Sequence, residues 1–332
     1  MKARITPSVG APHARILGVG AYRPRRAVTN EELCGRVDSS DAWIRTRTGI
    51  TSRGWADPDE TIADMAVPAA GKALAAAGVP ADALDCVIVA TFTHLRQTPA
   101  VAAEVAHRLG THAAAFDVSA GCAGFVHGLS LAADAVRSRG GHVLVIGAER
   151  MTDLLDLDDR STAVIFGDGA GAVVIGPSRT PAIGPVVWGA DGSQTEAISQ
   201  TVPWDALRGD RDLRWPALQQ QGQKVFRWAV YEVSKVAEQA LAAAGVSPAD
   251  LDAFIPHQAN TRIIDAMAKR LELPESTVIA RDIVTTGNTS GASIPLAMEA
   301  LMSSDATSPG DLALLVGYGA GLSYAATVVA LP

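Results

Sequence analysis

Cysteine is scarce in this chain: Cys34, Cys86 and Cys122 are the only three in 332 residues. They are odd in number, far apart and lack CxxC spacing. That argues against a disulfide framework and a zinc site, and points to a reducing, cytoplasmic compartment. No run of about 18 apolar residues occurs, so no membrane span is expected. No long apolar stretch follows residues 1–10, so no secretory signal is expected either. Basic excess is also missing. With 28 Lys and Arg against 35 Asp and Glu the net charge is −7, and nucleic acid is not an expected partner. Low-complexity tracts are absent, and 48% hydrophobic content can build a large core. The length fits two domains or one internally doubled domain.

What is present is a series of short apolar runs bounded by glycine and proline. Residues 15–22, 85–91 and 142–147 read as strands, and another ends near Val118. Near-continuous apolar runs of this kind suit a parallel sheet buried on both faces. Residues 60–77, 99–109 and 223–244 carry helical patterns. Residues 164–175 read as a glycine turn between two strand-like runs, and residues 177–215 as a long irregular excursion with a strand near Val186. Alternation of strands and helices predicts an α/β fold. Gly18-Val19-Gly20 is a poor dinucleotide fingerprint, because Pro24 blocks the helix that must follow.

The chain also matches itself. Residues 73–88 align without a gap on residues 240–255, pairing Leu74 with Leu241 and Gly78 with Gly245 at an offset of 167. The helix at 261–271 answers that at 99–109, and the run 311–316 answers 142–147. The turn around Asn288 answers the turn around Cys122. Two similar α/β halves follow, residues 1–176 and 177–332. Corresponding turns would meet near a pseudo-twofold axis, bringing Asn288 close to Cys122.

Cys122 opens a helical pattern of Phe125, Leu129, Ala132, Ala133 and Val136. A helix N-terminus favours the thiolate and lowers its pKa. A buried structural thiol fits the same residues, and both readings stay open on this stretch alone. His257 lies just past a buried strand, where ligand sites of α/β sheets form; by itself it also suits a structural role. Asn288 by itself is a turn former. Together the three make a nucleophile beside two hydrogen-bonding groups, a site for thioester chemistry. Trp43 and Arg47 share one short stretch. They fit either purine stacking with phosphate binding or a core ring with solvated arginines.

The motifs DVSAGCAGF, IPHQAN and TGNTSGASIP resemble the active-site motifs of β-ketoacyl-acyl carrier protein synthase III, of the thiolase superfamily. The likeness runs through essentially the whole chain, including DAWIRTRTGI, FGDGAGA and GYGAGLSYAATVV, and is similar to actinobacterial members. Asn288 stands where elongating relatives use a second histidine. No cysteine follows Cys122, unlike in degradative thiolases. The resemblance implies a layered αβαβα thiolase-like fold in a homodimer. It implies condensation of an acyl-CoA primer with malonyl-acyl carrier protein, starting a fatty acid or a polyketide. No metal or redox cofactor is implied, with the CoA thioester as substrate. Cys122 would be the nucleophile, with His257 and Asn288 as donors. The backbone N–H groups of Cys122 and Ala320 would form the oxyanion hole, although many members have glycine at the Ala320 position. Trp43, Arg47 and Arg160 would hold CoA. Arg227, Arg262, Lys269 and Arg270 would dock the acidic carrier, a sensible local basic patch on an acidic protein. Thr98 stands where straight-chain relatives close the primer pocket across the dimer with phenylalanine, which implies a wider pocket. The alternatives are an acyltransferase serving another acceptor and a non-catalytic synthase subunit.

Overall fold

The computed structural model describes residues 5–210 and 212–332. Its apolar runs form two five-stranded sheets. The first uses β1 (His13–Tyr22), β2 (Leu84–Ala90), β3 (Ala114–Val118), β4 (His142–Glu149) and β5 (Gly169–Ser178), in the spatial order β1-β5-β4-β2-β3. The second uses β6 (Val187–Ala190), β7 (Ala253–Pro256), β8 (Val278–Ile279), β9 (Leu312–Gly319) and β10 (Ser323–Ala330), in the order β8-β7-β9-β10-β6. In each sheet three strands run parallel and the remaining pairings are antiparallel.

Seven helices matter for the layering and one for the site: α1 (Asp41–Thr48), α2 (Ile62–Ala77), α3 (Val101–Leu109), α4 (Gly124–Arg139), α5 (Gly222–Trp228), α6 (Ser234–Ala244), α7 (Thr261–Arg270) and α8 (Ser293–Ser303). Strand side chains alternate between faces, and the core records it. Leu144 and Ile146 of β4 join the apolar cluster under α2 and α3, whereas Val143 and Val145 join the cluster around α4 and α8. That central cluster also takes Ile255, Leu315 and Val329 from the second sheet. The opposite face of the second sheet packs on α5, α6 and α7. The result is helix, sheet, helix pair, sheet, helix: the αβαβα arrangement expected. No helix among the described residues is long and apolar enough to cross a membrane.

Two expectations need correction. Residues 164–175 are not two strands around a turn. β5 begins at Gly169 and runs unbroken to Ser178, so Gly169 and Gly171 lie inside a strand. They are there for packing: a Cβ on Gly171 would sit 2.8 Å from Leu296 N and Pro295 of α8. The second correction is one of register. The central helices are each entered by a short 3₁₀ turn, Gly121–Ala123 before α4 and Ser290–Ala292 before α8. Both turns start in the left-handed region, with φ of 52° at Gly121 and 49° at Ser290. Residues 290 and 121 are 169 apart, so Gly291 occupies the place of Cys122, and Asn288 stands three residues earlier. The cause is the approach to the turn. The five-residue β3 gives way to the two-residue β8 and a helical turn at Ile283–Thr286.

Candidate active site

Glycine lets the chain crowd around Cys122. Gly121 supplies the left-handed turn. The end of β9 passes so close that a Cβ on Gly319 would lie 2.8 Å from Cys122 Cβ and 2.9 Å from its nitrogen. Ala320, next in the chain, lies against Gly121 and lines the same cavity.

His257 follows β7 directly. Its N–H donates to Val316 O at 2.7 Å, which continues the ladder and fixes the backbone. Its Nδ1 pairs with Ser293 Oγ at 2.7 Å, and its ring meets Tyr318 edge-on with centroids 5.2 Å apart. Burial holds the imidazole neutral, with its pKa pushed down to about 3. Asn288 is buried as well. Its N–H donates to Ile165 O at 2.9 Å, and its Oδ1 accepts from Ser290 N at 2.8 Å. That leaves the Nδ2 end available to the cavity.

These three residues, from distant segments, line one cavity together with Ala320. Apart from Gln220 and Tyr318 the remaining lining is apolar, including Phe92, Met151, Phe166, Ile198, Leu218 and Val225. About 40 Å³ is free to water, room for roughly three molecules. Gln220, Val225, Ala259 and Asn288 also line a wider cleft of about 540 Å³. That cleft carries Trp43, Arg47, Arg160, Arg227 and Arg262. The Trp43 ring has the Arg47 guanidinium at 5.8 Å and that of Arg160 at 5.3 Å. α1 is held here by Gly49, where any Cβ would collide with Thr261 of α7.

The sequence reading went astray in one place. Cys122 was expected to have a lowered pKa, but burial pushes the thiol up to about 12, against a partial offset from Ser290 Oγ at 3.2 Å. Arg227 and Arg262 stand in the cleft with Trp43, whereas Lys269 and Arg270 lie exposed at the end of α7 and do not line it. Thr98 is exposed in the loop before α3 and does not line the cavity of its own chain. Sequence reasoning also missed Ser290 and Glu149. Glu149 had a signal, a carboxylate closing the apolar run of β4, but the strand was ended at Gly147.

The family model of 3-oxoacyl-[acyl-carrier-protein] synthase III matches residues 116–192, and that of its C-terminal part residues 241–331. The chain is 59% identical to β-ketoacyl-[acyl-carrier-protein] synthase III 1 of Streptomyces coelicolor, over 99% of this chain and 100% of the relative. It is 60% identical to β-ketoacyl-[acyl-carrier-protein] synthase III of Streptomyces glaucescens, with the same coverage. The crystal structure of the priming β-ketosynthase from the R1128 polyketide biosynthetic pathway superposes with a TM-score of 0.97 at 50% identity, covering 100% of this chain and 99% of the other. The chain therefore belongs to the β-ketoacyl-[acyl-carrier-protein] synthase III family, condensing acyltransferases with the thiolase-like fold.

Proposed function

We propose that the protein primes acyl-chain synthesis by decarboxylative condensation of an acyl-CoA with malonyl-acyl carrier protein, giving a β-ketoacyl-carrier protein. The observation that carries this is the convergence of Cys122, His257 and Asn288 on one narrow cavity at the end of an arginine-lined cleft. Cys122 Sγ attacks the thioester, the N–H groups of Cys122 and Ala320 hold the oxyanion, and CoA leaves. Malonyl-carrier protein follows. Gln258 N–H donates to Ser293 Oγ at 3.3 Å; with the Ser293 hydroxyl in turn donating to His257 Nδ1, the ring proton sits on Nε2. His257 Nε2–H and Asn288 Nδ2–H then hold the malonyl thioester oxygen while CO₂ departs. The enolate carbon attacks the acyl-Cys122, and the thiolate leaves. A neutral imidazole suits this work as a donor. Residues 1–176 and 177–332 are read as related halves, the first giving the nucleophile and the second both donors.

In the cleft, Trp43 would stack on the CoA adenine, with Arg47 and Arg160 at its phosphates. Arg227 and Arg262 at the rim, with Lys269 and Arg270 beyond it, form the surface proposed for the acidic carrier. A homodimer is proposed through β3, an edge strand carrying Phe116 at 42% exposure; unpaired edges with exposed apolar residues invite pairing. A second copy would bring Thr98 to its partner's cavity, where a small side chain leaves room for branched or longer primers. The protein is proposed to work in the cytoplasm.

The test is the mass added to Cys122 by acetyl-CoA, isobutyryl-CoA and longer acyl-CoAs, followed by release of labelled CO₂ from malonyl-carrier protein. Acylation of the wild type but not of C122A, with CO₂ release, is expected. Acylation without CO₂ release would support a plain acyltransferase, and no acylation at all a non-catalytic subunit. Strict acetyl preference would refute the wider primer pocket.

A further inference from the structure

β4 ends in a carboxylate that solvent does not reach: Glu149 is 0% exposed. Its partners are all neutral. Oε2 accepts from Thr91 Oγ1 at 2.9 Å, Thr93 Oγ1 at 2.6 Å, and the N–H groups of Phe92 and Thr93, both at 3.2 Å. Oε1 faces the Ser290 hydroxyl at 3.4 Å. The same Ser290 Oγ lies 3.2 Å from Cys122 Sγ. Ser290 is itself fully buried, strained into the left-handed region, and fastened by its N–H to Asn288 Oδ1 at 2.8 Å.

A lone structural carboxylate is an expensive choice here, since burying an unpaired charge is costly. Four donors on Oε2 make Oε1 the oxygen that takes a proton. A single hydroxyl proton on Ser290 can go to Oε1 or to Sγ, not to both. Two arrangements therefore exist, differing in where one proton sits.

We infer that Glu149 is a positioning residue that exchanges one proton with Cys122 through the Ser290 hydroxyl. This rests on Cys122 being the nucleophile. The S–H bond of Cys122 breaks as its proton joins Ser290 Oγ, and the Ser290 proton passes to Glu149 Oε1. The thiolate then accepts from Ser290, and Ser290 accepts from the neutral carboxylic acid. The unit carries one negative charge before and after, so no charge enters or leaves the enclosure. CoA departs as a thiolate and takes its proton from water. When condensation releases the Cys122 thiolate, the proton returns from Glu149 along the same path. The groups facing the carboxyl are Thr91, Phe92 and Thr93 after β2, and Ser290 and Gly291 before α8. Arg150, next along the chain, turns its Nε to Asp153 at 3.3 Å. Beyond Ser290 the titratable neighbours of the cavity are Cys122, His257 and Tyr318.

The experiment measures Cys122 alkylation by iodoacetamide from about pH 5 to 10, with acylation by acyl-CoA in parallel, for wild type, E149Q and S290G. The relay predicts a wild-type rate that rises as Glu149 ionises near pH 7 and then holds a plateau to about pH 10, where one proton is shared. In E149Q the plateau vanishes, the rate at pH 7 drops about 100-fold, and reactivity climbs with hydroxide concentration. S290G, which keeps every donor on Oε2 and suits the left-handed φ, loses the plateau in the same way. Wild-type rates and profile in E149Q overturn the proposal, as does an intact plateau in S290G, which also decides the matter if E149Q fails to fold. A wild-type Cys122 that alkylates with a plateau yet never gains acyl mass overturns the nucleophile reading and the catalytic role of the relay with it, and is distinguishable from the other outcomes by mass.

Discussion

Replacing Gly147 with alanine would separate the two turns that build the site. Gly147 lies in β4 with the turn before α8 directly above it. A Cβ there would fall 2.1 Å from Gly291 O and 3.0 Å from Ala292 Cα, all of it backbone. Carbon and oxygen approach to about 3.3 Å at closest comfort, so the turn would have to retreat by roughly 1 Å. Such overpacking costs about 1–3 kcal/mol where neighbours can adjust, and a backbone carbonyl adjusts poorly. The upper end is therefore expected, lowering Tm by roughly 5 °C or more. The retreat also carries Ser290 away from Cys122 Sγ, now 3.2 Å away, and shifts Asn288. A misplacement of about 1 Å can cost about 100-fold in rate. Thermal unfolding and single-turnover acyl transfer would be read on the same sample. A G147A protein with wild-type Tm and wild-type acyl transfer would refute the close-packing argument.

Three further outcomes are expected. H257A should still acquire acyl mass on Cys122 but release CO₂ from malonyl-carrier protein about 100-fold more slowly; equal loss of both half-reactions would refute the division of labour. W43A should raise KM for acyl-CoA about tenfold with kcat little changed, and a fall in kcat alone would remove Trp43 from CoA binding. Stability should fall as pH rises from about 4 to 7. Burial raises Glu149 to about 7 and Asp168 to about 6. Folding therefore tightens both protons, and the stabilisation is complete below about pH 4 and lost through that window. The lowered carboxylates Asp41, Glu60 and Asp64 act oppositely, losing their contribution only as pH falls below the ordinary carboxylate range. Buried His257, held down to about 3, opposes the two raised carboxyls, because the unfolded imidazole takes a proton below its ordinary value. Two carboxyls outweigh one imidazole, so urea unfolding should show a maximum near pH 4 from these groups, with a shallower fall in E149Q, and a steady rise from pH 5 to 8 would refute it.

What the sequence made legible was whatever local pattern decides. The apolar runs of β2 and β4 could hardly be anything but buried strands. Gly78 and Gly245 ended their helices at left-handed caps, with φ of 63° and 68°, at the offset of 167 that the repeat predicted. The three residues that meet in the cavity were legible because their motifs are local. What escaped was set by packing between segments. The glycines of residues 167–171 looked like a turn because nothing in one chain segment announces that α8 presses on Gly171. The register of the repeat slipped because an inserted helical turn leaves no mark in a pattern of strands. Ser290 escaped because its importance is its distance from Cys122 and Glu149, which are 168 and 141 residues away.

The state of the thiol shows the same division, and magnitudes decide it. A helix N-terminus stabilises a neighbouring anion by about 0.3–1 kcal/mol, up to about 2 in favourable partly buried geometries. The rise of Cys122 to about 12, from an ordinary value near 9, corresponds to about 4 kcal/mol against the thiolate. The dipole of α4 therefore loses to the enclosure. Opening the site to water would lower that barrier but would also let His257 take a proton as pH falls through its ordinary value near 6.5, where burial now keeps it neutral. In the proposed mechanism the enclosure serves the second half-reaction, in which neutral donors meet a developing enolate in a medium that strengthens them. The first half-reaction needs the thiol deprotonated inside that same enclosure. A proton acceptor within the enclosure reconciles the two, and Ser290, 3.2 Å from the sulfur and 3.4 Å from Glu149, links the thiol to one.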